Sequence, residues 1–471
     1  MIYANDCTCL CKRLLNYMEG EILMKKFFAI MLVLVLSFSM VACSQPEDNS
    51  SEATDQNDSE QTNEKEEKVV VDIFQFKVEI VEALEKAVKL YEEENPNVEI
   101  NLQTVGGGDD YGAALRAQFQ SGNEPDIYNV GGPQDVSDWK SKLEDLSDAP
   151  WSDKLLDGVV SGVKVEDKVY GLPYNLEGYG LAYNKEIFEA AGIDASSIDT
   201  FDALEEALKT IQTKIDNGEL KDEFPMLEAA VSYPVKETWV TGLHSSNIAL
   251  SNELNSPIKT FESDTLDFEY SDGLKAYIDL MADYSKFKDD KAKLNSVDYA
   301  TQVDQGIAIE RVAVIQQGNW IYGGVNGIDP EVSEKLGFLP IPLKGVKEDS
   351  IAVGVPMYWA LNSESDSADK KAAKDFLNWL YTSEEGKKLV VNEMFFIPPL
   401  EGYDNVQPSD PLAKDVLKYA NEGKTMPWVF MGYPSDWGMG VLGQNIQKYF
   451  ADKMTWDELV EDSKEQWKEL R

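Results

Sequence analysis

Residues 69–105 read VVVDIFQFKVEIVEALEKAVKLYEEENPNVEINLQTV, and this stretch decides the fold class. It opens at 69–74 with a mostly apolar run typical of a buried strand, and it closes at 98–105 with the alternation of a second strand. Between them, Asn95-Pro96 marks the end of a helix whose apolar positions are Ile80, Leu84, Ala87, Val88 and Tyr91. The predicted order is therefore strand, helix, strand.

The same order continues along the chain. A helix is predicted at 111–121 and a third strand at 125–130. Strands that alternate with helices in this way are typical of a parallel, doubly wound α/β sheet, in which ligands bind beyond the carboxyl ends of the strands. The glycine loop at 106–108 has no Lys-Ser/Thr after it, and the chain has no GxGxxG motif. The sequence therefore gives little support for nucleotide binding.

Later elements follow the same rules of periodicity and capping. A helix is predicted at 200–211, a strand at 308–316 and two consecutive helices within 370–390. Thr382 with Glu385 predicts a capping box for the second of these helices, and Thr455 with Glu458 predicts one for the last helix of the chain.

Composition excludes several classes of function. The 471 residues include 43 basic and 85 acidic side chains, for a formal net charge of -42. So negative a chain is a poor ligand for nucleic acid or for an anionic membrane surface. Its four cysteines are Cys7, Cys9, Cys11 and Cys43, and its one histidine is His244. A thiolate metal site, a disulfide after residue 43 or a catalytic histidine network is therefore not expected, and we expect no cofactor.

The N-terminal region is typical of an exported lipoprotein. Residues 24–43 combine a basic start, an apolar run and a final Val-Ala-Cys, which predicts a signal peptide. That ending resembles the lipobox of bacterial lipoproteins, in which the cysteine, here Cys43, is acylated. The acidic stretch 44–68 contains almost no apolar residue and predicts a disordered tether. Residues 1–23 are interpreted as an upstream extension, with Met24 as the true start.

Several motifs in the body resemble one known family. They are Gly122-Asn123-Glu124-Pro125-Asp126-Ile127, Tyr170-Gly171-Leu172-Pro173-Tyr174, Leu181-Ala182-Tyr183-Asn184-Lys185, Gln317-Gly318-Asn319-Trp320 and the segment 422–437. In this order they resemble the family 1 extracellular solute-binding proteins, which serve ATP-driven sugar importers and include maltose-binding protein. The resemblance runs from about residue 69 to 467.

The resemblance implies a two-lobed, type II periplasmic-binding-protein-like fold of class α/β, with discontinuous lobes joined by a hinge. Lobe one would contain 69–176 with 340–396, and lobe two 177–339 with 397–471. It implies a monomeric, non-enzymatic carrier, held by its lipid on the outer face of the cell membrane. Such a carrier captures a sugar or oligosaccharide and delivers it to an ABC permease and ATPase complex, with no nucleic-acid partner.

Candidate ligand-binding residues combine aromatic rings with carboxylate or amide groups, because a sugar offers apolar C–H faces and a rim of hydroxyls. Trp320 follows Gly318-Asn319 at the end of an apolar strand. Glu177 lies between apolar stretches at a predicted crossing, where its carboxylate needs a partner, either a sugar hydroxyl or hinge backbone. Trp239 and Trp437 match platform positions of the family. Further candidates are Gln75, Lys77, Asp109, Gln134, Asp135 and Trp428, whereas Trp359 is interpreted as core and His244 as a hydrogen-bonded loop residue.

Three other functions remain open at this point. The same fold can bind a non-sugar solute such as a polyamine, through acidic groups framed by aromatic rings. A secreted carbohydrate-active enzyme would need two facing carboxylates, and nothing in the sequence places a pair together. A surface adhesin is disfavoured because the pattern is that of a hinged cleft.

Overall fold

The computed structural model describes residues 68–107 and 109–471. The predicted extension, signal peptide, acylated Cys43 and nearly all of the tether lie outside these residues. The strands are β1 (Val69–Gln75), β2 (Val98–Thr104), β3 (Ile127–Val130), β4 (Lys164–Val165), β5 (Lys168–Val169), β6 (Leu172–Pro173), β7 (Glu177–Asn184), β8 (Ala229–Ser232), β9 (Val312–Gly318), β10 (Leu336–Leu339), β11 (Ile351–Gly354), β12 (Tyr358–Leu361) and β13 (Thr425–Met426).

The α-helices are α1 (Val81–Glu94), α2 (Tyr111–Ser121), α3 (Pro133–Trp139), α4 (Lys185–Ala191), α5 (Phe201–Asp216), α6 (Ser246–Leu254), α7 (Pro257–Phe261), α8 (Ser271–Asp283), α9 (Tyr299–Gln302), α10 (Ile321–Ile328), α11 (Pro330–Glu334), α12 (Ser367–Thr382), α13 (Glu384–Asn392), α14 (Pro411–Asn421), α15 (Gln444–Phe450) and α16 (Trp456–Leu470). Two π-helical segments, Trp239–Ser245 and Trp437–Gly443, precede α6 and α15. None of the described helices is both long and apolar enough to span a bilayer.

The first sheet has the strand order β2-β1-β3-β12-β6 and forms, with its helices, the first lobe. β1 pairs in parallel with β2 along its whole length and with β3 at one position, which confirms the predicted parallel βαβ arrangement. β12 then pairs antiparallel with β3 and β6. Helix α1 turns its apolar face, including Leu84 and Tyr91, into the core of this lobe.

The second sheet has the order β13-β11-β7-β9-β8, with β10 also on β7, and forms the second lobe with its helices. β7 is its centre: all eight residues are buried, and it pairs antiparallel with β9, β10 and β11. A strand buried on both faces needs the near-continuous apolar and small residues that EGYGLAYN supplies after its first position. Glu177, at that first position, is therefore a buried carboxylate.

The chain crosses between the lobes where short segments join the two sheets. It passes from β6 to β7 between Pro173 and Glu177, and Leu176 forms an isolated antiparallel bridge with Ile397. Another crossing is predicted near Pro340. After β10 the chain returns to the same sheet as β11, whose Gly354 pairs with Glu177, so it reaches the first lobe only before β12.

One of the two predicted capping boxes is present. Thr455 accepts from the N–H of Glu458, whose side chain accepts from the Thr455 N–H, so this box is confirmed at the start of α16. The box predicted for Thr382 is wrong. Thr382 ends α12 and donates to the carbonyl of Asn378, while Ser383 caps α13 by accepting from the Gly386 N–H.

Candidate functional site

A buried ion pair lies where the two lobes meet. Lys77 follows β1 of the first lobe, and its Nζ lies 2.6 Å from Oε1 of Glu177 at the start of β7. Both side chains are almost fully buried, at 5% and 3% exposed. Burial opposes the charge of Lys77, but the carboxylates of Glu177 and Glu79 outweigh it, so the pKa of Lys77 is raised. Asn175 Nδ2 also donates to Glu177 Oε1 at 3.1 Å.

Gln75 holds the loop that carries Lys77. Its Oε1 accepts from the Lys77 N–H at 2.6 Å, and its Nε2 donates to the Lys77 carbonyl at 3.0 Å and to Thr104 Oγ1 at 2.6 Å. Tyr174 OH donates to the same Oε1. This fully buried amide fixes the backbone of Lys77, and a direct contact of Gln75 with a ligand stays a prediction.

Trp320 stands across the junction from Lys77, at the N-terminus of α10. Its ring folds back over Gly318, where an added Cβ would lie 2.0 Å from Trp320 Cζ3, so only glycine admits this ring position. Asn319 ties the turn to the central strand: its Oδ1 accepts from the Gly178 N–H, and its own N–H donates to the Gly178 carbonyl. Lys77 Nζ lies 6.0 Å from the Trp320 ring centroid. The tryptophan and the ion pair therefore belong to one site.

Three tryptophans gather around the histidine, and we call Trp239, Trp320, Trp428 and His244 the tryptophan cluster. The indole centroids lie 5.2, 5.4 and 5.8 Å from the His244 ring in that order. The His244 ring also stacks on Tyr179, with the ring centroids 4.2 Å apart and an interplanar angle of 9°. Trp428 lies across Gly354, the register partner of Glu177, so the cluster begins directly above the ion pair.

His244 is a core member of this cluster, and the interpretation as a hydrogen-bonded loop residue is wrong. It lies in the π-helical segment Trp239–Ser245, and Tyr179 OH donates to its backbone carbonyl. Among the described residues, neither ring nitrogen has a hydrogen-bond partner. Burial among aromatic rings disfavours the charged form and lowers the pKa of His244 to about 3. The imidazole is therefore neutral at physiological pH.

Trp437 lies in the core of the second lobe. It is fully buried in the second lobe, its Nε1 donates to the Ser463 carbonyl at 2.7 Å, and its ring packs edge-on against Tyr433 and Trp467. The indole faces the core of the second lobe, and its role as a ligand platform stays a prediction. Trp359 is core as predicted, and it stacks on Tyr174 at 3.8 Å.

Gln134 and Asp109 lie away from the tryptophan cluster. Gln134, on α3 of the first lobe, accepts from Nη1 of Arg471 at 2.9 Å, and nearby Asp138 accepts from Ser435 Oγ at 2.7 Å. These two hydrogen bonds link the lobes, and we call them the rim contacts. Asp109 is exposed in the turn after β2, and no side-chain contact joins it to the cluster within the described residues.

The site also contains buried polar atoms with no protein partner in the described chain. Trp428 Nε1 can only donate, Asn175 Oδ1 can only accept, and the Thr241 hydroxyl can do either. Leaving such groups unpaired costs about 1–3 kcal/mol each, so a polar guest that pairs with them is favoured. No group of three or more His, Cys, Asp or Glu side chains suited to a metal ion occurs among residues 68–107 and 109–471.

Two lobes with buried aromatic and ionic groups at their junction define a class of hinged binding protein. The chain belongs to the family of bacterial extracellular solute-binding proteins, whose sequence profile matches residues 77–387.

Individual relatives share about a quarter of their aligned residues with this chain. The chain is 26% identical over 271 residues to a xylose/arabinose-binding protein of Haloferax volcanii, an alignment that spans 55% of each chain. It is 25% identical over 341 residues to a multiple sugar-binding protein of Streptococcus mutans, covering 70% of this chain and 76% of the relative. A solved chitin oligosaccharide binding protein superposes with a TM-score of 0.68 at 21% identity, covering 86% of this chain and 99% of that one. That structure supports the two-lobed fold.

The most important feature that sequence reasoning undervalues is Lys77. It is only one of the further candidates, although a lysine directly after the first strand faces the same junction as Glu177. Two signals in the sequence could have identified Lys77. A buried carboxylate such as Glu177 needs a cationic partner, and Lys77 follows a strand end of the kind at which ligands bind. No local sequence signal marks His244 as the centre of a cluster.

Proposed function

We propose that this protein captures a sugar or oligosaccharide between its lobes and delivers it to an ABC importer. The observation that carries the proposal is the meeting of Trp239, Trp320 and Trp428 with the Lys77–Glu177 pair at the lobe junction. Indole faces bind the C–H faces of a sugar ring, and charged groups make strong hydrogen bonds to its hydroxyls. The names of the relatives, which are sugar-binding proteins, support the same class of ligand.

The unpaired atoms refine the chemistry of this guest. A hydroxyl both donates and accepts, so one or two hydroxyls can pair with Trp428 Nε1 and Asn175 Oδ1 together. Among the described residues, the cation of this site is Lys77, which already faces Glu177 and Glu79, so no excess positive charge is left for an acidic ligand. A polyamine is disfavoured for the opposite reason, since Lys77 already places an ammonium between the carboxylates and the ring of Trp320. We therefore propose a neutral sugar.

The decisive experiment is a thermal-shift screen of the purified protein. The panel contains xylose, arabinose, raffinose, stachyose and chitin oligosaccharides, with spermidine as the polyamine arm. A ligand held only by the folded state at a hundred times its Kd adds about 2.7 kcal/mol of stability, which raises the melting temperature. Stabilisation by a sugar supports the proposal, and stabilisation by spermidine alone would overturn it. Chromatography of the sugars after incubation should show no product, because we propose a carrier without catalytic activity.

We propose further that Cys43 is acylated and that residues 44–68 tether the two lobes to the outer face of the membrane. The Val-Ala-Cys ending of the apolar run supports this proposal. Cells that express the full chain should retain it in the membrane fraction and incorporate labelled palmitate. Cys43→Ser should abolish the label, and equal labelling of this variant would contradict acylation at Cys43. Light scattering of the lobes should report a monomer.

A further inference from the structure

A chain of buried amides connects the Trp320 indole to the end of β8, the strand next to β9. Trp320 Nε1 donates to Gln317 Oε1 at 2.9 Å, and Gln317 Nε2 donates to Gln302 Oε1 at 2.8 Å. Gln302 Nε2 then donates to the carbonyl of Ser232, at the end of β8, at 2.9 Å. Both glutamines are essentially fully buried. Three hydrogen bonds therefore connect a surface of the junction to the backbone of a strand.

The two ends of this chain fix its direction. An indole N–H can only donate and a backbone carbonyl can only accept, so each glutamine must present its oxygen towards Trp320 and its nitrogen towards Ser232. Reversing either amide would place two donors or two acceptors face to face. The neighbouring Gln316 shows the contrast, because its buried Nε2 has no partner among the described residues. The chain from Trp320 to Ser232 is complete, and a completed buried network holds its members in one arrangement.

Helix α9, which contains Gln302, also holds the indole of Trp239 in the tryptophan cluster. Gln302 ends α9, and the N–H of Tyr299 at the start of α9 donates to Glu237 Oε1 at 2.9 Å. Glu237 Oε2 accepts from Trp239 Nε1 at 2.9 Å. Asp298 caps α9 by accepting from the Thr301 N–H. Two indoles thus depend on one helix through separate hydrogen-bonded branches.

We infer that Gln302, a fully buried residue at the end of α9, is a positioning residue that sets the orientation of the Trp320 ring for ligand binding. This inference rests on the proposed function, in which Trp320 is the platform for the sugar. Its physical basis is preorganisation: a ring that is already fixed loses less conformational freedom when the ligand binds. Loss of the Gln302 branch should therefore weaken sugar binding about three- to tenfold.

The first test reads the indole directly and needs no ligand. Protein labelled with ¹⁵N-tryptophan gives one indole N–H resonance for each of its ten tryptophans, and Trp320→Ala identifies the signal of Trp320 by its disappearance. Gln302→Met keeps the length of the side chain and removes both hydrogen bonds. The Trp320 resonance should move to lower chemical shift, while that of Trp239, on the other branch, stays in place. An unmoved Trp320 resonance would overturn the inference.

The second test measures affinity by calorimetry with each sugar of the panel. Gln302→Met should weaken binding, and Gln212→Met is the matched control. Gln212 accepts from the Ala230 N–H on the same strand β8 but has no connection to Trp320. If Trp320→Ala weakens binding and Gln302→Met does not, the inference fails while the proposed site survives. If no sugar binds the wild type, the proposed function fails, and the resonance of Trp320 still decides whether Gln302 positions the ring.

A conservative variant provides the rescue. The protonated carboxyl of Gln302→Glu has one oxygen that accepts from Gln317 Nε2 and one hydroxyl that donates to the Ser232 carbonyl. At pH 5 the Gln302→Glu variant should show the wild-type chemical shift of the Trp320 indole and the wild-type sugar affinity. A chemical shift and an affinity like those of Gln302→Met would count against the inference. If Gln302→Met does not fold, Gln302→Asn replaces it, because its shorter side chain cannot reach both partners.

Discussion

Replacing Gly318 by alanine should displace the Trp320 ring and weaken sugar binding about tenfold. An ideal Cβ on Gly318 would lie 2.0 Å from Cζ3 of Trp320 and 2.4 Å from both Cε3 and Cη2. Gly318 has no positive φ, so alanine is acceptable to the backbone and the effect falls on the ring alone. The added methyl group therefore displaces the Trp320 ring and leaves the backbone in place.

The magnitude follows from these contacts. Carbon atoms pack at about 3.5–4.0 Å, so the ring must retreat by roughly 1.5 Å. A shift of that size breaks the hydrogen bond from Trp320 Nε1 to Gln317, which contributes about 1 kcal/mol, and moves the aromatic face away from the sugar. Loss of aromatic contact costs about 0.5–1.5 kcal/mol beyond area. A tenfold loss of affinity corresponds to about 1.4 kcal/mol, within this range.

The assay is isothermal titration calorimetry with the sugar that most stabilises the wild type, supported by near-ultraviolet circular dichroism of the indoles. Gly324→Ala is the matched control, since Gly324 lies in α10, a Cβ added there would meet no neighbouring atom within 4 Å, and alanine is the better helix former by about 1 kcal/mol. That control should bind normally and melt slightly higher. Wild-type affinity in Gly318→Ala, with an unchanged dichroism spectrum, would refute the reasoning.

Three further changes test the electrostatics and the packing. Lys77→Met leaves the Glu177 carboxylate buried without its cation and should lower the free energy of unfolding by about 3–5 kcal/mol in urea titrations. The double variant Lys77→Met/Glu177→Gln should recover part of this loss. Strictly additive effects of the two substitutions would contradict the pairing. Trp437→Phe removes the hydrogen bond to the Ser463 carbonyl and should lower the free energy of unfolding by about 2 kcal/mol. Calorimetry should find the sugar affinity unchanged, and weaker binding would show that Trp437 contributes to the ligand site. The pKa of His244 is about 3 in the folded state and about 6.5 in the unfolded chain. Between these pH values the unfolded chain binds one more proton than the folded protein. The free energy of unfolding therefore falls as the pH drops through this window, by at most about 1.4 kcal/mol per pH unit. His244→Gln should remove this part of the pH dependence, and identical slopes for the two proteins would show that the ring is not buried as neutral imidazole.

Local patterns in the sequence predicted the first lobe well. The strands and helices from β1 to β3 follow from apolar periodicity, with α2 at the predicted residues 111–121. The approach of Trp320 to Glu177 was also predictable, because each follows or begins a strand at the junction. These features depend on neighbours in the chain, which a sequence displays directly.

The environments of other predicted residues have a different origin. Whether Trp437 points into the core, whether Gln75 is free for a ligand and whether the chain crosses at Pro340 all depend on partners far away in the sequence: Trp467, Thr104 and β13. Trp239 and Trp437 also begin π-helical segments, a rare element that the sequence patterns did not predict. Only the packed structure determines these directions.

The rim contacts have a consequence for how affinity is set. Opening the lobes exchanges the bonds of Gln134 with Arg471 and of Asp138 with Ser435 for bonds to water, at a net cost of about 0.5–1.5 kcal/mol each. Since the measured Kd equals the intrinsic Kd divided by the closed fraction, so small a term changes apparent affinity severalfold. Substitutions at these surface residues should therefore change the apparent affinity of the protein without changing the residues at the tryptophan cluster.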